Sequence, residues 1–188
     1  MAGYLPLSDL YILDVGCGDG NMLRQFLQWG AVPEQLAGIE LRPEPVQKSL
    51  HLNPNLDVRC GSANELPWPD AMFDLVCQHT VFTSILDPAM KQQIAREMGR
   101  VLRPRGAVLW YDFKYNNPRN PDVRGVKPSE IRLLFSGFDI YLRLITLAPP
   151  IARCLPQALL PVLYPMLAAI PILRTHYLGL FVKRAISL

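Results

Sequence analysis

Three glycines and two aspartates lie within seven residues near the start of the chain, at positions 14–20 (DVGCGDG). A buried strand, residues 11–15, is predicted to end at this run, and helical spacing of apolar residues begins at Met22. Glycines between a strand and a helix let the backbone turn tightly and approach a ligand closely. The free N–H groups at the start of the helix suit an anionic part of that ligand. The run therefore predicts a ligand-binding turn.

Three details of the sequence narrow the range of ligands that this turn could bind. The spacing is GxGxG, since position 21 is Asn, whereas dinucleotide-binding turns have GxGxxG. Asp14 and Asp19 would repel a pyrophosphate, so they favour a ligand that carries a positive group. Glu40 ends the second predicted strand, twenty residues after Gly20, where a carboxylate can accept both ribose hydroxyls. A ribose, a cation and a carboxylate together describe S-adenosylmethionine.

The elements around the turn alternate between short apolar runs and helical patterns, which is typical of a parallel α/β sheet. Helices are predicted from residue 22 to about 30, from 44 to about 52, and from Pro88 to a point before Pro104, with Asp87 as N-cap. Five strands with four helical crossovers in about 105 residues predict a doubly wound sheet. The five strands are predicted at residues 11–15, 36–41, 56–60, 73–78 and 106–113.

The second half of the chain differs in texture. Residues 114–124 (KYNNPRNPDVR) are polar and predict a loop, a short helix is expected over 127–135, and residues 138–147 and 175–183 read as strands. Residues 155–173 carry no charge and contain four prolines, which argue against a regular membrane-spanning helix. Three interpretations of this apolar segment stay open: buried core or dimer contact, an acceptor pocket or lid, and contact with a membrane surface.

Length and composition exclude several classes of protein. The chain has 188 residues, of which half are hydrophobic and 19% are charged, and this composition excludes a disordered chain and a coiled coil. We predict one domain, with a loop at 114–136 and a Pro-rich insertion at 148–173. The net charge of +3 without a basic stripe argues against nucleic acid. Four cysteines without a CxxC pair predict neither a metal site nor disulfides. The first ten residues lack signal-peptide features, so we expect a cytoplasmic protein, with membrane association left open.

The runs DVGCGDGN, GIEL, FDLVCQ and GRVLRPRGAVLWYDF resemble the class I S-adenosylmethionine-dependent methyltransferases, especially the small-molecule branch of ubiquinone and menaquinone methylases. The resemblance covers residues 9–113. It implies a Rossmann-like seven-stranded sheet, mostly parallel, with an antiparallel final strand at 175–183 and residues 138–147 beside it at the edge. It also implies methyl transfer to a hydroxyl or carbon of a small molecule, such as a sugar or polysaccharide precursor, a quinone or a lipid.

The resemblance assigns roles to the residues of the cofactor site. Gly16 and Gly18 would line the methionine moiety, and Asp14 and Asp19 would face its amino group. Glu40 would bind the ribose. The adenine would lie against Leu41, with Ser62 or the Asn64 amide replacing an Asp that the family often has in the turn after the third strand. The full set implied is Asp14, Gly16, Cys17, Gly18, Asp19, Glu40, Leu41, Ser62, Ala63, Asn64 and Gln78.

A catalytic base is needed only when the methyl acceptor carries a proton at the attacking atom. His79 and Asp112 are the candidate bases, since they follow or end strands at the edge where ligands bind in such sheets. A strand-end hydrogen bond and a loop cap are their structural alternatives, and His176 could fall at the same edge. Asparagine and arginine side chains of the 114–124 loop suit a polyhydroxylated or anionic acceptor, unless the loop is simply solvated. The candidate substrate-binding residues are Tyr111, Asn116, Asn117 and Arg119.

Two other functions stay open on the sequence alone. A nicotinamide-dependent oxidoreductase would share the glycine turn, although Asp14, Asp19 and the GxGxG spacing count against it. A non-catalytic, membrane-associated scaffold would keep the fold. About ten residues precede the first strand, where the resembled family usually has one or more helices, so we expect either a more open site or a trimmed chain.

Overall fold

The computed structural model describes residues 6–116 and 120–185, and they contain one seven-stranded sheet in the order β3-β2-β1-β4-β5-β7-β6. Strands β1 to β5 pair in parallel, and β7 is antiparallel to both β5 and β6. The predicted fold class, including the antiparallel final strand, is therefore confirmed. The strands are β1 (Ile12–Val15), β2 (Leu36–Glu40), β3 (Asp57–Cys60), β4 (Phe73–His79), β5 (Leu102–Phe113), β6 (Phe138–Leu147) and β7 (Arg174–Lys183).

Helices cover both faces of the sheet, which gives two hydrophobic cores. On one face, Leu23 and Phe26 of α1 and Val46 of α2 pack on buried residues of β1 to β4. On the other face, Ile94 and Met98 of α3 pack with the first strands, and α4 covers β5 and β7. The four helices are α1 (Asn21–Gln28), α2 (Pro43–Leu52), α3 (Pro88–Val101) and α4 (Pro128–Leu134).

Helix α3 shows why the local sequence folds as predicted. Pro88 occupies the first turn, where a missing N–H costs nothing. The Asp87 carboxylate caps the helix by accepting the Ala89 N–H at 2.9 Å. The helix ends at Val101, and β5 starts immediately at Leu102, four residues earlier than the sequence predicts, because Leu102 pairs with Phe73 before the register shifts.

The connection between β3 and β4, residues 61–72, contains no helix, so only three of the four predicted helical crossovers are present before β5. Arg100 of α3 holds this connection instead, donating to the carbonyl oxygens of Leu66 and Trp68, each at 2.9 Å. Glu97 pairs with Arg100 at 2.7 Å and accepts the Leu66 N–H at 2.8 Å. These bonds fix an irregular segment whose start, at residues 61–63, borders the cavity described below.

The insertion between β6 and β7, residues 148–173, is a broken helical excursion. It contains α5 (Pro149–Arg153) and α6 (Leu160–Ala168), joined by short helical turns. Arg174 donates to the carbonyl oxygens of Ala168 and Leu144 and so fastens the end of α6 to β6. None of residues 148–173 is buried, which contradicts the buried-core interpretation. In the two described ranges, no helix has the length and apolarity needed to cross a bilayer.

Candidate active site

The glycine loop between β1 and α1 has a backbone that only glycine adopts easily. Gly16, Gly18 and Gly20 have φ values of 71°, 53° and 77°, in the left-handed region that disfavours residues with a Cβ. A Cβ on Gly16 would lie 2.5 Å from the Val81 side chain. The Gly16 N–H donates to the Ile39 carbonyl at 2.8 Å. The loop is therefore drawn against the ends of the neighbouring strands, where a side chain would not fit.

A cavity of about 440 Å³ opens at this edge, where β1, β2 and β4 end. One part is lined by residues predicted to contact the cofactor, and His79 lies in the same cavity. The fold therefore brings together three segments that are distant in sequence, namely Gly16 of the glycine loop, the end of β2 at residues 40–41 and the turn after β3 at residues 61–63. The predicted residues that line it are Gly16, Glu40, Leu41, Ser62, Ala63 and His79.

Glu40 ends β2 with its carboxylate held beside the glycine loop. Its Oε2 accepts the Gly18 N–H at 3.1 Å, and its Oε1 accepts the backbone N–H and Nε of Arg42 at 3.1 and 3.2 Å. A carboxylate offers about four lone-pair sites, so Oε2 retains capacity for a further donor. The Arg42 side chain is 68% exposed and can leave without disturbing the fold. Glu40 is thus fitted to accept hydroxyl groups from a ligand.

Leu41 follows Glu40 and is 69% exposed, while it also lines the cavity. An exposed leucine beside a cavity gains free energy when a flat apolar group covers it, at roughly 25 cal/mol per Å². Ser62 and Ala63 border the same region, whereas Asn64 is not among the lining residues. The glycine cradle, the Glu40 carboxylate and this apolar wall together fit the methionine, ribose and adenine parts of S-adenosylmethionine.

Cys17 and Gln78 support the site from below, outside the lining of the cavity. Burial raises the pKa of the Cys17 thiol to about 12, so the thiol stays protonated and is no nucleophile at neutral pH. The Gln78 side chain is fully buried. Its Oε1 accepts the Val81 N–H at 3.1 Å, and its Nε2 donates to the Tyr111 carbonyl at 3.4 Å. Gln78 therefore positions the segment that follows β4.

Asp19 has an environment that differs from the expected contact with the cofactor's amino group. Its carboxylate pairs with Lys48 of α2 at 2.6 Å and with Arg24 of α1 at 3.4 Å. The hydrogen bond from Lys48 lowers the pKa of Asp19. Asp19 borders a separate groove with Lys48 and Glu44 and not the main cavity, because the two cations draw its side chain to the outer surface of the helices.

Asp14 and His79 form the titratable pair of the site. The Asp14 carboxylate is buried, and its Oδ1 lies 3.7 Å from His79 Nδ1, which is longer than a direct hydrogen bond. The His79 side chain is one-third exposed and borders the cavity. Burial raises the pKa of Asp14, and the neighbouring His79 partly opposes this. The pair can orient an imidazole and stabilise it when it is protonated.

Asp14 gives a prediction about stability. The pKa of Asp14 is higher in the folded state than in the unfolded state. At a pH between these two pKa values the folded chain therefore binds more protons than the unfolded chain, and its stability falls as the pH rises. Asp14→Asn should abolish this fall and raise the free energy of unfolding at neutral pH, because the buried negative charge is removed. Urea unfolding from pH 4 to pH 8 measures it, with the exposed Asp122→Asn as control. A variant less stable than the parent at pH 7 would contradict the prediction.

Asp112 is fully buried, and its carboxylate accepts three backbone N–H groups. These come from Phe82 at 3.1 Å, Thr83 at 3.3 Å and Phe113 at 2.9 Å. The contacts are those of a loop cap, the structural alternative to a catalytic base, and they fix the segment after β4 to the end of β5. A role as base stays a prediction, one that this burial does not favour.

Tyr111 and His176 lie at the same sheet edge but do not border the cavity. Their rings stack at 4.8 Å with an angle of 9° between planes, and the Tyr111 hydroxyl lies 3.0 Å from Thr146 Oγ1. Burial lowers the pKa of His176, so its imidazole is neutral at pH 7. Asn116 accepts the Gly125 N–H at 3.0 Å and so closes its own loop. Two predicted substrate-binding residues, Asn117 and Arg119, lie outside the described residues.

The segment after His79 contributes lining that the sequence analysis did not single out. Thr80 has a φ of 57°, and its hydroxyl donates to the His79 carbonyl at 2.7 Å, which turns the chain sharply into the cavity wall. The usable signal was its place, directly after a strand at the ligand-binding edge. The apolar lining residues contributed by this segment and by α3 are Val81, Ile85, Met90 and Ile94.

Known proteins resemble this chain in sequence and in structure. A family described as a methyltransferase domain matches residues 13–110. Norajmaline N-methyltransferase of Rauvolfia serpentina is 31% identical over 130 residues, which is 65% of this chain and 42% of that protein. Phthiotriol/phenolphthiotriol dimycocerosates methyltransferase 1 of Mycobacterium ulcerans is 32% identical over 118 residues, 62% of this chain and 42% of that protein. The matches thus span less than half the length of these curated relatives.

The structural similarity extends over nearly the whole chain. A SAM-dependent methyltransferase from Methanosarcina mazei superposes with a TM-score of 0.69, covering 95% of this chain and 93% of that one. The sequence identity of that pair is 16%, so the comparison establishes a common fold. The family match covers the glycine loop, Glu40 and His79.

Proposed function

The chain belongs to the class I S-adenosylmethionine-dependent methyltransferase family, and on that premise we propose that it methylates a hydroxyl or carbon of an apolar small molecule. The observation that carries the proposal is the composition of one cavity of about 440 Å³. The glycine loop and Glu40 form one part of it, and His79 with four apolar side chains forms another. Such a cavity can hold a cofactor and an acceptor side by side.

The residues of the first part would hold S-adenosylmethionine, which when bound supplies an activated methyl group on a positively charged sulfur. Glu40 would accept the ribose hydroxyls on its remaining lone pairs, and Leu41 would cover one face of the adenine. Gly16 lines the cavity and has no side chain, so a ligand could approach its backbone closely. Asp14 contributes a negative charge near the site, which favours a cationic ligand.

His79 is the proposed general base for an acceptor that loses a proton. Its Nδ1 is turned toward Asp14, so Nε2 is the ring nitrogen left for the acceptor. Asp14 would hold the ring and stabilise the imidazolium that forms, as a buried carboxylate does for catalytic histidines in general. Asp112 acts indirectly in this proposal, since it fixes Phe82 and Thr83 and thereby the wall beside His79.

The acceptor class is inferred from this chain's own side chains, because the two curated relatives are named for different acceptors. Val81, Ile85, Met90 and Ile94 line the part of the cavity next to His79, and apolar walls favour an apolar ligand. A sugar acceptor would depend on the 114–124 loop, where the Asn116 amide oxygen is already engaged by Gly125. An alkylated hydroquinone or a similar apolar hydroxyl compound is the better match.

Transfer of labelled methyl groups tests the proposal. The protein would be incubated with methyl-labelled S-adenosylmethionine and either an alkyl-substituted hydroquinone or a nucleoside diphosphate sugar. We expect label in the hydroquinone and none in the sugar. Label in the sugar alone would contradict the apolar acceptor while leaving methyl transfer intact.

A further inference from the structure

The insertion between β6 and β7, residues 148–173, presents apolar side chains to solvent. Ile172 is 76% exposed, Met166 63% and Val162 59%. Soluble monomers rarely expose contiguous apolar patches beyond a few hundred Å², and larger ones mark interaction sites. The other large apolar side chains exposed in this segment are Leu159, Leu160 and Ile170.

The insertion leaves the sheet at the edge that carries the candidate active site. Strand β7 runs antiparallel to β5, so His176 near its start pairs with Phe113 at the end of β5. The carboxyl ends of the parallel strands, which carry Glu40 and His79, define the same edge. The insertion does not line the cavity itself. A surface bound by the insertion would therefore face the cavity's side of the molecule.

The charge of the chain changes sign along the sequence. All 16 acidic residues lie at or before Asp139, whereas five of the 19 basic residues follow it. Arg153 lies within the insertion and Arg143 on the strand that leads to it, and both are exposed. Within residues 6–116 and 120–185, neither side chain has a hydrogen bond or ion pair, in contrast to Arg174 and Lys183, which bind backbone carbonyls.

We propose that the insertion docks on an anionic lipid surface. Its exposed apolar side chains would enter the interfacial region, as amphipathic surface elements do, and Arg143 and Arg153 would approach lipid phosphates. A second copy of the chain is the weaker fit, because a symmetric contact would bring like charges together. The docking requires neither cofactor nor acceptor, so it is independent of the proposed transfer reaction and is tested separately.

Sedimentation with vesicles tests the docking. One set would contain equal parts of phosphatidylcholine and phosphatidylglycerol, and the other phosphatidylcholine alone. We expect binding to the anionic set, weakened about thirtyfold in Arg143→Gln/Arg153→Gln, since each basic residue near such a surface contributes roughly a factor of five. Met166→Glu/Ile172→Glu should weaken binding by about tenfold or more, because charged groups enter the interface poorly.

A matched control separates this effect from a general cost of added charge. Leu133 of α4 and Leu52 of α2 are 76% and 49% exposed and lie outside the insertion, so Leu133→Glu/Leu52→Glu, which adds the same two negative charges, should leave vesicle binding unchanged. All of these positions are exposed, and each variant should unfold thermally at the parent's temperature. The proposal would be overturned if the parent did not bind vesicles, or if it bound both sets of vesicles equally. It would also be overturned if the control variant lost as much binding as Met166→Glu/Ile172→Glu. A different result would assign the surface to a second copy of the chain. In that case the parent would be a dimer that does not bind vesicles, and Met166→Glu/Ile172→Glu would be a monomer.

Discussion

Replacing Glu40 by glutamine should weaken the binding of S-adenosylhomocysteine by about a hundredfold. Hydrogen bonds to a charged group contribute roughly 1.5–3 kcal/mol each, and we propose that the Glu40 carboxylate accepts them from the ribose hydroxyls. The Glu40 side chain is only 11% exposed, so little water screens these bonds. Isothermal titration calorimetry on parent and variant measures the change in dissociation constant.

Glu44→Gln is the matched control for this experiment. Glu44 lies in the first turn of α2, is exposed, and borders the outer groove and not the cavity. Each substitution removes one negative charge. A difference in ligand affinity between the two variants therefore reflects the position of the carboxylate and not the change in net charge. Thermal unfolding without ligand checks that the glycine loop survives the loss of the Gly18 contact. Equal affinities in parent and Glu40→Gln would refute the ribose assignment.

His79→Gln should lower kcat by about 10²- to 10³-fold with an acceptor that loses a proton on methylation. General base catalysis contributes roughly 10²- to 10⁴-fold, and His79 is the histidine that borders the cavity in the described part of the chain. The affinity for S-adenosylhomocysteine should stay within about twofold, since His79 is proposed to contact the acceptor and not the cofactor. Steady-state kinetics and calorimetry on the same preparations provide the two readouts.

His51→Gln controls for the loss of a histidine, because His51 is exposed on α2. A parent-like kcat in His79→Gln would show that the acceptor needs no protein base. A loss of cofactor affinity equal to the loss of kcat would make His79 a positioning residue.

Local chemistry explains why the first half of the fold could be predicted from sequence. The run at 12–15 is buried on both sides, as a central parallel strand must be, and the glycines end it. Glu40 could be assigned to the ligand-binding edge because a parallel sheet brings the carboxyl ends of its strands together. His79 reached the cavity for the same reason.

Long-range pairing explains what the sequence did not reveal. Asp19 binds Lys48, which lies 29 positions away in the sequence. The spacing of residues along the chain does not predict a partner at this distance. Asp112 has the carboxylate expected of a base, yet two of its three N–H donors, those of Phe82 and Thr83, come from backbone that only the tertiary fold brings near. Irregular segments have no period, so Thr80 and the wall beyond it were missed.

The insertion at 148–173 illustrates a limit of hydropathy. A run without charged residues is compatible both with a buried core and with an exposed apolar surface. Hydropathy measures the preference of side chains for an apolar environment, and it does not tell whether the fold leaves an apolar surface for them to pack against. The sheet faces are already covered by α1 to α4 where the two cores lie, which leaves this run outside. Its exposure could be found only from the assembled fold.

The central claim is that the cavity binds an adenosyl ligand, and thermal unfolding with S-adenosylhomocysteine, with NADH as the comparison, tests it most directly. At about a hundred times its dissociation constant, a ligand stabilises by roughly 2.7 kcal/mol, which is several degrees for a domain of this size. We expect such a rise in unfolding temperature with S-adenosylhomocysteine, none with NADH, and a much smaller rise in Glu40→Gln. A rise with NADH alone would favour a nicotinamide site, and no rise with either ligand would contradict cofactor binding and favour a non-catalytic scaffold.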